Sequence, residues 1–149
     1  MNVNSDFTDL LSELNAASAR YLIVGGVALA FHDQPRFTKD IDILIARSPE
    51  NAKRVHHALA RFGAPLDQIS VEDLTSPELI VQIGVDPARV DVLTDIDGIS
   101  FEEAWLHRID AIYGDVPVSV ISREDLIKNK LASGRTQDLA DVERLRQPP

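Results

Sequence analysis

Apolar and polar positions follow two periods along this chain. Phe7, Leu10, Leu11 and Leu14 recur at helical spacing and predict a helix from Ser5 to Ala17. Tyr21 to Val24 is a short continuous apolar run and reads as a strand. Gly25-Gly26 ends it, and Val27 to Phe31 opens a second helix that Pro35 closes. Ile41 to Ala46 reads as the next strand. Ser48-Pro49 supplies an N-cap with proline at the first helical position, so a helix runs from Pro49 to Phe62 and stops at Gly63. Gly63 to Pro77 reads as irregular. Leu79 to Val85 and Arg89 to Leu93 form two strands joined by a turn around Asp86-Pro87. Ser100 and Glu103 make a capping box for a short helix to His107. Ile109 to Tyr113 and Val116 to Ile121 form a hairpin through Gly114-Asp115, Ser122 and Asp125 cap a helix to Ala132, and Thr136 to Arg146 is the last helix. Helices and strands are mixed, with an antiparallel share. The expectation is an α+β fold with a central sheet covered mainly on one side.

The bulk properties bound this picture. At 149 residues, with 44% hydrophobic and 26% charged residues, the chain reads as one globular domain, 1–149, large enough to bury a core. No repeat, low-complexity segment or linker interrupts it. It has no cysteine, so no disulfide framework and no thiol chemistry. The N-terminal stretch lacks the features of a signal peptide, and no apolar run approaches the length of a membrane span, so a cytoplasmic protein is expected. The formal net charge of -9 argues against strong non-specific nucleic-acid binding. A local basic set, Lys128, Lys130, Arg135 and Arg144, falls in the last quarter.

The chemistry is concentrated in three places. Asp40 and Asp42 stand at the head of the second strand, two residues apart, and so project from one face. Paired carboxylates this close repel unless a proton or a cation relieves them. A hard divalent cation held together with substrate phosphates, Mg2+ or Mn2+, fits the arrangement. Asp91 lies between Val90 and Val92 on a later strand and faces away from both. A charge among apolar neighbours needs a partner or a metal. Gly25 and Gly26 have no Cβ, so a backbone can approach a triphosphate there, and the helix that follows turns its N–H groups toward anions. Arg36 is a candidate phosphate clamp, with pairing to Asp33 as the plainer reading.

In its order and spacing, Gly25-Gly26, Asp40-x-Asp42 and Asp91, the chain resembles nucleotidyltransferases of the DNA polymerase beta superfamily. Within them it is similar to the AbiEii-like branch of bacterial toxin–antitoxin pairs. Arg36 and Thr38 match residues that branch members carry before their paired aspartates. Leu126 to Leu145 matches a late lysine-then-aspartate segment. The resemblance spans Tyr21 to Leu145 and implies the polymerase-beta-like fold. It implies Asp40, Asp42 and Asp91 as metal ligands and catalytic carboxylates, with Gly25, Gly26, Arg36, Thr38 and Lys130 binding the NTP. Asp138 is implied to be held against Arg135 or to support the site. Where many members have a serine contacting phosphate, this chain has Gly26, which offers only its backbone N–H.

Two functions follow. One is metal-dependent transfer of NMP from an NTP to a hydroxyl of an RNA (tRNA included), protein or small-molecule acceptor. The alternative is a catalytically degenerate binding module acting through a partner protein, as one half of a toxin–antitoxin pair. Other titratable groups carry less. Asp95-x-Asp97-Gly98 reads as a turn, because a calcium loop in that register would need ligands at Leu93 and Ala104. His56 and His57 are adjacent and point apart. His107 ends a helix and is expected to meet its dipole. His32 either lines the pocket or sits at a helix end.

Overall fold

The computed structural model describes residues 3–33, 38–84 and 88–148. Six helices and six strands alternate in it: α1 (Ser5–Ala16), β1 (Tyr21–Val24), α2 (Gly25–His32), β2 (Asp40–Ile45), α3 (Pro49–Phe62), β3 (Ile80–Ile83), β4 (Arg89–Leu93), α4 (Phe101–Leu106), β5 (Ile109–Tyr113), β6 (Val116–Val120), α5 (Arg123–Ser133) and α6 (Thr136–Leu145). The strands form one mixed sheet in the order β3-β4-β2-β1-β6-β5. β2 runs parallel to β4 and β1 parallel to β6; the other neighbours are antiparallel.

Register decides which side chains share a face. Ile23 lies opposite Ile43, which lies opposite Val92; Tyr21 lies opposite Ile45, and Ile41 opposite Val90. These form the buried apolar face, and α1 packs on that side with Phe7 against Tyr113. Positions of the other parity carry Asp40, Asp42, Arg89 and Asp91, with Asp42 opposite both Val24 and Asp91. The central strands are covered at Leu22, Val24 and Leu44 as well, so the carboxylate face opens only toward one end of the sheet.

Most elements begin and end where local chemistry says they should. Asn4, Ser48, Ser100 and Ser122 each accept from backbone N–H groups of the helix they precede. Gly63 and Gly134 end α3 and α5 in the left-handed conformation. Several ends differ from expectation by one residue, β2 among them at Asp40–Ile45, and three differences are larger. α2 starts at Gly25 rather than Val27, because Gly25 takes φ +66 and turns the strand straight into the helix without a capping side chain. The irregular stretch contains a 3-10 turn, Asp73–Thr75, fastened by reciprocal bonds in which Ser70 N donates to Asp73 and Asp73 N donates to Ser70 Oγ. β3 is shorter than Leu79 to Val85 because the Leu79 N–H is taken by the Thr94 hydroxyl and Gly84 turns away at φ +89. Pro35, Val85 and the Asp86-Pro87 turn lie outside the described residues.

Asn51 joins the apolar side of this framework. It is buried on α3. Its carbonyl oxygen accepts from Arg20 N at 2.7 Å, and its amide donates to Arg20 O at 3.0 Å and Ala46 O at 2.8 Å. One side chain therefore ties the start of β1 to the end of β2. Asn51→Leu strands buried backbone groups and should cost about 3 kcal/mol. Urea unfolding will show it; a loss within the error of the wild-type value would remove Asn51 from this role.

Candidate active site

The site grows out of the parallel β2–β4 pair. Parallel pairing places Asp40 beside Arg89 and Asp42 beside Asp91. Three carboxylates and one guanidinium thus occupy neighbouring positions on one face. Asp91 is buried; Asp40 and Asp42 are half-buried. Arg89 Nε donates to Asp91 Oδ1 at 2.9 Å, and its Nη2 donates to Asp91 Oδ2 at 3.2 Å and to Asp40 Oδ2 at 3.1 Å. Sequence reading passed over Arg89. The signal was present, since Arg89-x-Asp91 has the same two-residue period as Asp40-x-Asp42.

For Asp42 the crowding appears in its titration. Burial, the charge of Asp91, a hydrogen bond with Asp91 and the charge of Asp40 together push its pKa from 3.8 to about 6, against the opposing pull of Arg89. The glycine turn closes over it. A Cβ built on Gly25 would collide with the Asp42 carboxylate, and one on Gly26 would press on Thr38 Cγ2 at 3.1 Å. Gly25, Gly26, Thr38, Asp42 and Asp91 are therefore brought together. Arg36 lies outside the described residues.

Beyond Asp42 lies a cleft of about 680 Å³, walled by Val24, Gly25, Ile80, Leu93 and residues of α5 and α6. Lys130 and Arg135 are the basic groups on this wall, against Asp42, Glu78, Asp95, Asp97 and Asp138. Lys130 reaches the cleft but is buried there as an ion pair, 3.0 Å from Asp141 and 3.5 Å from Asp138. Arg135 is exposed and donates to Asp138 at 2.8 Å. Burial works to raise the pKa of Asp138, and the bonds and charges of Arg135 and Lys130 outweigh it, leaving it below the usual carboxylate value. Lys128 faces elsewhere, near Asp125.

Other candidates are spent on structure. Asp95 accepts from Glu78 N, Asp97 from Ser133, and Gly98 makes the turn between them and Ile99. His32 bonds the Ile121 carbonyl. His107 stands at the C-cap of α4, as expected, and also places its Nδ1 2.9 Å from the buried Asp125 carboxylate. Asp33 pairs with Arg144 at 2.8 Å.

The carboxylate oxygens of Asp40, Asp42 and Asp91 are the donor set a hard divalent cation takes. A cation there would relieve the crowding that raises the Asp42 pKa. Among the described residues no three acidic or imidazole groups are already gathered about one point.

A family model described as "Nucleotidyltransferase of unknown function (DUF6036)" matches residues 1–146, and the chain belongs to that family of nucleotidyltransferases. No curated protein sequence matches it. Its fold is that of solved nucleotidyltransferases. A lincomycin-bound lincosamide antibiotic adenylyltransferase, LnuA, superposes with TM-score 0.61 at 16% identity, covering 99% of both chains. A putative nucleotidyltransferase from Thermotoga maritima gives 0.63 at 14% identity over 92% of this chain and 88% of its own. The antibiotic-resistance factor ANT(2'')-Ia gives 0.64 at 14% over 95% and 80%. These likenesses establish the α+β, polymerase-beta-like architecture.

The proton on Asp42 has a sign that can be checked. Its folded pKa lies above the ordinary one, so the folded state holds the proton more tightly. The contribution of Asp42 to the stability of the metal-free protein should be fully present below about 3.8 and be lost as pH rises through about 6, by an amount on the order of 2 kcal/mol. Asp42→Asn should flatten that slope, measured by urea midpoints across the range; a slope that survives in the variant assigns it to another group. Gly25→Ala should cost about 2 kcal/mol or more from the left-handed backbone alone, before the collision with Asp42. Thermal unfolding of that variant unchanged from wild type would show that the turn is not built as described.

Proposed function

We propose that this protein transfers the NMP part of an NTP to a hydroxyl, releasing pyrophosphate. The carrying observation is the β2–β4 register, which sets Asp42 against Asp91 on the face where the Gly25 turn closes. In this reading Asp40, Asp42 and Asp91 hold Mg2+ or Mn2+. Held by these carboxylates, such a cation would supply charge neutralisation for the phosphates of an in-line displacement. Asp91 also takes the proton of the acceptor hydroxyl. The N–H groups of Gly25 and Gly26 meet the triphosphate, Thr38 flanks it, and Lys130, steadied by Asp141 and Asp138, faces it from the opposite wall; Arg36 enters as a phosphate clamp on the sequence resemblance alone.

The acceptor is a small hydroxyl-bearing molecule. A cleft with more carboxylates than cations, on a chain of net charge -9, repels a polyanion. The solved lincosamide and ANT(2'')-Ia structures, bound to lincomycin and to adenylyl-2''-tobramycin, support the same direction. A tRNA or a protein is the competing acceptor. We place the reaction in the cytoplasm; no helix among the described residues is long and apolar enough to cross a membrane. The AbiEii-like, toxin–antitoxin setting is a further part of this reading and rests on the sequence resemblance.

One observation favours the second function, a degenerate module that binds a partner protein: Arg89 spans two of the three carboxylates. Incubation with each labelled NTP, Mg2+, and in turn hydroxylated small molecules, total RNA and cell protein tests both. Label should pass to the small-molecule pool, and Asp42→Asn should reduce transfer by about a thousandfold while the fold is kept. Label on RNA or protein would reassign the acceptor. Absence of transfer, with no stabilisation by NTP and Mn2+ in a thermal melt, would favour the partner-binding module.

A further inference from the structure

Arg89 is the most heavily engaged charged side chain beside the three aspartates, and its engagement is uneven. Asp91 receives both Nε and Nη2, at 2.9 and 3.2 Å, and its side chain is 12% exposed. Asp40 receives a single bond from Nη2 at 3.1 Å and is 38% exposed. A two-point, largely buried pair is held much harder than a one-point pair open to water. The backbone fixes this difference. Arg89 and Asp91 are two apart on β4 and project from one face, so their pairing needs no movement of the chain, whereas Asp40 is reached across the β2–β4 ladder.

We propose that Arg89 is the built-in counter-ion of the site: it holds Asp91 in place at all times and Asp40 only until a divalent cation is bound. Loading the site then means that Asp40 is handed from arginine to metal while Asp91 stays oriented by the guanidinium. Arg89 is a positioning residue in this account. It keeps like charges together when no cation is present. It also weakens cation binding, because one ligand is occupied and a positive charge stands close by. The inference rests on the metal-binding reading of the three aspartates.

The test compares wild type with Arg89→Gln and Arg89→Lys in two measurements: melting temperature of the full chain in EDTA, and Mn2+ affinity by calorimetry. Arg89→Gln should melt roughly 4 °C or more lower in EDTA. It should bind Mn2+ at least about tenfold more tightly, since the competing charge is gone. Saturating Mn2+ should therefore recover most of the lost melting temperature. Arg89→Lys keeps the charge and should stay within about threefold of wild-type Mn2+ affinity, which guards against a misfolded Gln variant. Unchanged or weaker Mn2+ binding in Arg89→Gln, with equal destabilisation in EDTA and Mn2+, would make Arg89 an ordinary structural ion pair and overturn the proposal. If wild type itself shows no saturable Mn2+ binding sensitive to Asp42→Asn, the metal reading fails first, and the counter-ion role with it.

Discussion

Everything on the functional face depends on like charges being kept side by side. Two carboxylates at about 4 Å repel by about 4 kcal/mol in a partly screened protein environment. The fold accepts this because the parallel β2–β4 ladder fixes Asp42 opposite Asp91 wherever the apolar face is correctly packed. A slip of one residue would relieve the repulsion but turn Ile41, Ile43, Val90 and Val92 out of the core. The core therefore enforces the acidic cluster. The cluster is then made tolerable locally, by a guanidinium on Asp40 and Asp91, and the crowding that remains raises the pKa of Asp42 to about 6.

The opposite wall solves a similar problem with the signs exchanged. Lys130 is a buried cation, and a buried cation needs close anions. Asp141 and Asp138 on α6 provide them, and Arg135 in turn steadies Asp138. Asp42 is the member of the acidic set that lines the cleft, and Lys130, Arg135 and Asp138 line it from the side of α5 and α6. Both sets are directed by rigid elements and not by loops.

Much of this was legible in the sequence because it follows short periods. Strand parity alone placed Asp40 and Asp42 together and set Asp91 apart from Val90 and Val92. Caps at Ser48, Ser100 and Ser122 fixed helix starts, since each depends on residues within one turn. What could not be read needs contacts across the chain. Asp141 as the partner of Lys130 depends on how α5 meets α6, Asp125 as the partner of His107 on how α4 meets α5, and Arg144 as the partner of Asp33 on α6 folding back to α2. Arg89 stands between these cases. Its spacing from Asp91 was visible, but its reach to Asp40 depends on the pairing of two strands far apart in sequence.

The cleft wall combines Val24 and Gly25, Asp42, Leu93 to Asp97, and Asn129 to Asp138. No continuous stretch of chain contains it, and β1 pairs with β6, Ile23 opposite Val120, across nearly the whole length of the chain. The site is thus assembled from segments far apart in the sequence. High sequence separation of this kind slows assembly, because long loops must close before the contacts reward them. It also means that a ligand gripping both walls draws on the cooperative unfolding of the whole molecule, so its binding energy becomes resistance to global and not merely local opening.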